Sequence, residues 1–307
     1  TVTLVCASFS HLYNVQPEGK GIWWLERENG VNYLFLRTPI YHGNDVWRFL
    51  NMLTYLGLNF LLIPYYIFIV KPKIIIAANV YLLDSLLAWI IGRLTGGRMV
   101  REIRDLWPQS LIELGALPRH SVIARVLKCV ENLSFRCADG VVTTLENGWE
   151  YVQRFGIPAE CFQWIPTPVR TLSTPIVINL ISPLNARVIE TLKNENKFLI
   201  GFFGSLGIGD TLPTLLEAMR NLKTQAIHLL VVGDGALLKS HQSLADKYKL
   251  ENVLFIPRVP REECIALMSQ TDILYLGWED KPLYRYGISP NRLLDYQLSG
   301  RPVLHAC

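Results

Sequence analysis

Short runs of uninterrupted apolar residues recur along this chain, each followed by a loop and then by a stretch with helical spacing. IIIAA within 73–78, FLIGFF at 198–203, IHLLVV at 227–232 and ILYL at 273–276 are the clearest. A strand that is apolar on both faces must be covered on both, as in a parallel sheet held between two layers of helices. The chain is therefore expected to be α/β and doubly wound. Strands are expected at 2–6, 33–37, 73–78, 99–103, 140–144, 162–165, 198–203, 227–232, 253–256, 273–276 and 301–304, with helices at 49–70, 82–94, 120–136, 146–155, 212–222, 261–270 and 290–299. Its 307 residues suffice for two such domains, each with a core of its own. The Ser, Thr, Pro and Asn content of 171–185 marks a connection, so the expected division is 1–166, a linker or surface excursion over 167–196, and 197–307.

The segment 49–70, FLNMLTYLGLNFLLIPYYIFIV, carries no charge and is long enough to cross a bilayer. Asn51, Asn59 and Pro64 interrupt it, and the next strand follows directly after Lys71-Pro72, as a crossover helix of a βαβ unit requires. The preferred reading is a long, partly buried helix whose exposed apolar side rests on a membrane, with Arg48, Lys71 and Lys73 near the headgroups; a true span is the alternative. A mean hydropathy of +0.23 points the same way, and 30 Lys and Arg against 26 Asp and Glu give a net charge of +4 that suits anionic lipid or phosphate-bearing substrates. That bias is too small for a nucleic-acid binder, and no nucleic-acid-binding motif accompanies it. Cys6, Cys129, Cys137, Cys161, Cys264 and Cys307 are scattered without paired metal-ligand spacing, which predicts free thiols in a reducing compartment.

Three stretches place polar chemistry at strand ends, where open α/β sheets hold ligands. The richest is 284–304, YRYGISPNRLLDYQLSGRPVL. Ser289 is expected as N-cap, Pro290 as the first helical residue and Gly300 as a left-handed C-cap. Arg292 and Asp295 would then share one face near the positive helix end, which suits a phosphate beside a sugar hydroxyl. In the second stretch, Gly204, Ser205, Leu206, Gly207, Ile208 and Gly209 form a turn that lets backbone N–H groups approach a diphosphate at the start of the following helix. This is not G-x-G-x-x-G, and no acidic ribose residue follows about 20 positions on, which argues against an NAD-dependent oxidoreductase. The third is Arg104-Asp105-Leu106-Trp107-Pro108-Gln109-Ser110. Arg104 offers a forked cation to phosphate oxygens, and Asp105 either orients it or accepts from a sugar hydroxyl. His11, in the loop after the first strand, is an acceptor contact or a solvated loop residue.

YGISPNR followed by DYQLSGRPV, together with EIRDLWPQS, resembles the family-four retaining glycosyltransferases of GT-B fold, and among them the branch that builds cell-surface polysaccharides. The resemblance implies two Rossmann-like domains facing one another across a cleft, the first holding the acceptor and the second the donor. It puts Asp295 at the second position of that superfamily's Glu-x7-Glu motif, on the donor ribose. Gly287 stands at the first, so the sugar-contacting carboxylate is absent. Arg258 and Val259 are implied on the nucleotide base, and Gly204, Ser205, Gly207, Ser289, Pro290 and Asn291 on the rest of the donor, with 278–282 approaching its sugar. Ser205 and Asp210 occupy positions where many relatives place an Arg and a Lys on the diphosphate, which leaves that charge to backbone amides, Arg292 and Arg104. Arg104 itself stands where many relatives carry a catalytic-site His. The family has an earlier strand and later helices, so the chain is expected to be a fragment.

The reaction implied is transfer of a sugar, an N-acetylated hexosamine, from a UDP-linked donor to a polyprenyl-diphosphate-linked saccharide with retained configuration, at the inner face of the plasma membrane. Arg104, Asp105 and Arg292 are its catalytic candidates. No metal or other cofactor is expected, because protein cations stabilise the leaving diphosphate and a donor phosphate oxygen takes the proton of the attacking hydroxyl. Gly287, Ser205 and Asp210 also support a rival, a nucleotide-sugar-binding subunit without catalysis.

Overall fold

The computed structural model describes residues 1–306 except 11, 12, 14, 44, 45, 79–81, 170–179, 208 and 224, and of Leu82 only the backbone. The chain divides into two compact units, Thr1–Ile165 and Pro166–Cys307.

The first unit opens with β1 (Val2–Ala7), β2 (Trp23–Glu28) and β3 (Val31–Leu36), in the order β1-β3-β2. β1 and β3 are parallel; β2 and β3 form an antiparallel hairpin in which Glu28 pairs with Val31. The hairpin closes on Asn29 (φ 50°) and Gly30 (φ 80°), the two positive φ angles of a type I′ turn. β2 is absent from the strands expected above, although Asn29-Gly30 was its signal. A four-stranded parallel sheet follows, β4 (Ile74–Ala77), β5 (Arg98–Ile103), β6 (Gly140–Thr143) and β7 (Phe162–Trp164). Its helices are α3 (Leu82–Thr95), α4 (Gln109–Glu113), α5 (Val122–Arg136) and α6 (Gly148–Val152). Ser121 caps α5 by accepting from the Ala124 N–H at 3.1 Å.

The uncharged segment is not one helix. It forms α1 (Val46–Leu61), the single turn α2 (Ile63–Tyr65) and a π-helical turn at Tyr66–Val70, with a bend of 48° between Val46–Leu61 and Ile63–Val70. Pro64 lies at the break, where it removes a helical donor. Among the described residues no single helix is long and apolar enough to cross a membrane. The most buried residues of α1 are polar, Asn51 and Asn59, beside Tyr55 and Leu58, which pack against the core. The Asn51 amide donates to Thr38 Oγ1 at 2.9 Å and to the Pro39 carbonyl at 2.7 Å, and Asn59 accepts from the Tyr66 hydroxyl at 2.7 Å. Phe49, Leu50, Leu53, Phe60, Leu61, Phe68 and Ile69 are exposed instead.

The second unit is a five-stranded, wholly parallel sheet of β8 (Phe198–Phe203), β9 (Ile227–Val232), β10 (Val253–Ile256), β11 (Ile273–Gly277) and β12 (Val303–Ala306), in the order β10-β9-β8-β11-β12. Alternate residues face opposite cores. Leu199, Phe203, Leu230, Val232, Leu274 and Leu276 pack under α7 (Pro183–Asn194), α10 (Arg261–Met268) and α11 (Asn291–Leu298). Ile200, Phe202, Leu229, Val231 and Tyr275 pack under α8 (Leu212–Asn221) and α9 (Leu238–Lys247). This is the doubly wound arrangement expected from the continuous apolar runs. α7 lies within the span expected as linker, and α9 was not anticipated; their inward faces carry Ile189 and Leu192 on one and Leu238, Leu244 and Ala245 on the other.

Glu263 of α10 ties α7 in place, accepting from the Ser182 N–H and the Asn185 amide, both at 2.9 Å. Burial alone would raise its carboxyl pKa, but the hydrogen bonds from Ser182 and Asn185 outweigh that and hold it below the usual 4.5. A depressed folded pKa contributes stability above the unfolded value, and this contribution is lost as pH falls through the folded one. Glu263→Gln is therefore expected to cost about 1.5–3 kcal/mol at neutral pH and to flatten the loss of Tm on acidification below about pH 4.5. Thermal melts at stepped pH check both.

Candidate functional site

Numbered within the second unit, the strand order reads 3-2-1-4-5, so the chain reverses direction of winding between β8 and β11. Open α/β sheets bind ligands outside the carboxyl ends of the strands at that point. The turn after β8 and helix α11 meet there, and Tyr296 joins them. Its buried hydroxyl accepts from the Phe203 N–H at 3.0 Å and lies 3.3 Å from the Phe203 carbonyl and 3.2 Å from that of Tyr275. Burial pushes this phenol up to about 12, so it stays a neutral donor at physiological pH.

The glycine turn is built by close backbone contact. The Gly204 N–H donates to the Val232 carbonyl and the Leu206 N–H to that of Asp234, both at 2.9 Å. A Cβ on Gly233, whose φ is +155°, would lie 1.9 Å from the Gly204 carbonyl oxygen. Gly233→Ala is expected to displace the turn, costing about 1–3 kcal/mol of stability; denaturant titration measures it. With Gly204 and Leu206 engaged, the amides of Ser205 and Gly207 donate to no acceptor among the described residues and are available to an anion.

The start of α8, expected to face the diphosphate, is met by a carboxylate. Asp210 Oδ1 accepts from the Leu212 N–H at 3.2 Å, and its Oδ2 lies 3.5 Å from His241 Nε2, both side chains being buried. This acid thus occupies the positive end of α8 itself.

Helix α11 begins one residue later than expected. Pro290 is extended (φ −76°, ψ 126°) and precedes the first helical residue, Asn291. Ser289 does not cap it; its hydroxyl pairs with that of Thr167 at 3.0 Å. Gly300 closes the helix in the left-handed conformation (φ 70°) as expected. Arg292 and Asp295 diverge rather than act as a pair. The Arg292 guanidinium lies over the Phe202 ring, 5.0 Å from its centroid, and Nη2 donates to the Ser205 carbonyl at 3.0 Å. It fits against Gly204, where a Cβ would come within 3.2 Å of Nε. Asp295 turns to α10, and its Oδ1 accepts from Arg261 Nε at 3.2 Å and Nη2 at 2.6 Å. Arg261, Asp295, Asn291, Leu294, Thr167, Pro168 and Val169 line an open depression of about 300 Å³. Arg261 was not singled out in the sequence, because nothing local signals an ion pair between two helices 34 positions apart.

Of the other candidates, Val259 packs against the core beneath α10 and Arg258 is exposed. Gly287 has φ 102° and ψ 163°, a conformation almost confined to glycine, which accounts for the missing carboxylate at that position. Trp278 opens the loop over 278–282, its backbone N–H donating to the Ala306 carbonyl. In the first unit Arg104 and Asp105 are exposed at the end of β5, but the ion pair of Arg104 is with Glu102 (Nε to Oε1, 2.7 Å), not with Asp105. His11 lies outside the described residues.

Residues 187–283, which include the glycine turn, match the family described as Glycosyl transferases group 1. This chain carries a group 1 glycosyltransferase domain. The domain belongs to the glycosyl-transferring class of enzymes. Solved structures share the fold of the whole chain. HepE of Anabaena in complex with UDP and glucose is 16% identical with a TM-score of 0.58, over 90% of this chain and 67% of that one. WaaG, a glycosyltransferase involved in lipopolysaccharide biosynthesis, is 15% identical with a TM-score of 0.59, over 91% and 69%. A trehalose-6-phosphate protein from E. coli bound with UDP-2-fluoro glucose is 11% identical with a TM-score of 0.64, over 99% and 83%. The architecture is GT-B, with two Rossmann-like domains. No curated protein matches the chain.

Proposed function

We propose that the protein is a retaining glycosyltransferase that moves a sugar, an N-acetylated hexosamine, from a UDP-sugar to a polyprenyl-diphosphate-linked saccharide in cell-surface polysaccharide synthesis. The observation that carries this reading is the placement of Arg292 of α11 against the glycine turn at the switch point of the second sheet, with Asp295 one turn further along the same helix lining the open depression, beside residues 187–283 that match group 1 glycosyltransferases. Two structural neighbours bound to UDP or a UDP-sugar analogue support the donor class. In this scheme Asp295 accepts from the ribose, the depression beside it receives the nucleoside, and Arg292 with the two amides meets the diphosphate. Negative charge grows on that diphosphate as the glycosidic bond breaks, so donors already in place lower the barrier without reorganising. A phosphate oxygen takes the proton of the incoming hydroxyl, and no cofactor enters. Arg104 is the remaining catalytic candidate; because it is exposed and paired with Glu102, Arg104→Ala is expected to lower kcat about tenfold and to leave UDP affinity unchanged.

The exposed apolar residues of α1, Phe49, Leu53 and Phe60, with Phe68 of the π-helical turn, are the contact with the cytoplasmic face of the plasma membrane, where a polyprenyl acceptor resides. Transfer of radiolabel from a panel of UDP-sugars into membrane lipid extract, using the full-length protein, tests the reading. Label in lipid supports it. UDP-sugar binding without transfer would favour the rival, a nucleotide-sugar-binding subunit, for which Gly287 and the buried Asp210 speak.

A further inference from the structure

Helix α5 attaches to its unit through Ala124, Glu131, Ser134 and Phe135, all buried. Its one carboxylate, Glu131, is thereby turned inward, accepting from the Tyr151 hydroxyl at 2.6 Å. The outward side carries Val122, Ile123, Val126 and Leu133, which are 72%, 62%, 54% and 47% exposed. Arg125, Lys128 and Arg136 stand exposed among them, with Arg119 just ahead of the helix. Scattered apolar residues on a surface are ordinary. An apolar strip along four turns, interleaved with cations and free of acids, is the pattern of a helix lying in the headgroup layer of an anionic bilayer. A second copy of this chain is a poor occupant, because a twofold contact would bring the same cations together. A lipid surface supplies both an apolar layer and fixed negative charge.

We infer that α5 is a second membrane-contacting element of this protein and that it takes an anionic lipid surface. The inference extends the contact assigned to α1 and rests on the chain meeting a bilayer at all. α3 packs against both α1 and α5, so the two elements belong to one continuous part of the first unit.

Flotation of the full chain with vesicles of phosphatidylcholine alone, and of equal parts phosphatidylcholine and phosphatidylglycerol, tests it. The wild type is expected to partition more strongly onto the anionic vesicles. Arg125→Gln with Lys128→Gln should lower that partition about 30-fold, roughly fivefold per cation, and leave binding to neutral vesicles unchanged. Val122→Ser with Val126→Ser should weaken both. A polarity-sensitive fluorophore on the exposed Cys129, within the strip, should shift to the blue on anionic vesicles in the otherwise native protein, which keeps the test independent of how the variants fold. If both α5 pairs bind like wild type and the fluorophore does not move, while Phe49→Ser with Phe60→Ser abolishes binding, the inference is overturned and the α1 contact stands. A wild type that floats with neither vesicle overturns both, as does self-association through this face without vesicle binding.

Discussion

Replacing Arg292 with Ala is expected to lower kcat by about 10²–10³, the usual effect of removing a preorganised donor from developing charge. The guanidinium is held before any donor arrives, by the Ser205 carbonyl at 3.0 Å and the face of Phe202. It has five N–H donors, and the bond to Ser205 engages one of them, so others remain for phosphate oxygens. The turn over 204–209 contains no Lys or Arg, and the Asp210 that follows is a carboxylate, so no side chain of the turn can take over the charge. Because the interaction strengthens as the diphosphate leaves, the loss should fall on kcat more than on KM. Arg292→Lys should retain part of the rate, since an ammonium keeps the charge but loses the planar stacking. Steady-state kinetics of lipid-linked sugar formation decide the matter; an unchanged kcat in Arg292→Ala would remove this residue from the site.

Asp295→Ala should weaken UDP binding by about 2–3 kcal/mol, roughly 30–150-fold, the scale for a charged hydrogen-bonding partner. Arg261 bonds to Oδ1 through two nitrogens and fixes the rotamer, which directs the carboxylate along the wall of the depression. A side-chain carboxylate oriented in this way accepts from vicinal hydroxyls at little further entropic cost. The decisive comparison is UDP against 2′-deoxy-UDP by calorimetry. Wild type should prefer the ribonucleotide, and Asp295→Ala should bind the two alike. A preference that survives the substitution would assign Asp295 to holding α10 against α11 and nothing more.

The second unit was legible because its strands are apolar on both faces; only a parallel sheet between helix layers satisfies FLIGFF and IHLLVV together. The glycines after two of those strands located the turn, and Gly300 located the end of α11, since each depends on local backbone conformation. The hairpin β2–β3 was equally readable from Asn29-Gly30 but its strand is largely exposed, so hydrophobic runs did not reveal it. Helices α7 and α9 were missed although their apolar residues are spaced as on the other helices; α7 is moreover tied down by a residue remote in sequence, Glu263.

What the sequence by itself determined is the set of residues that reach the switch point: strand lengths, glycine positions and the spacing of Arg292, Asp295 and Tyr296 on one short helix. Only the tertiary structure decided their partners. Arg292 and Asp295 share a helix turn, yet one is drawn to the Ser205 carbonyl and the other to Arg261, because those groups come from elements remote in sequence. Asp210 reads as a charge in a ligand loop and is a buried helix-end carboxylate. The uncharged segment reads as one partly buried helix with an exposed apolar side; only packing decided that it breaks at Pro64 and that its asparagines are what turns inward, to hydrogen-bond partners. In each case the physical reason is the same: composition and spacing fix local conformation, whereas the direction of a long or polar side chain follows from the donor, acceptor or ring that another part of the chain brings within reach.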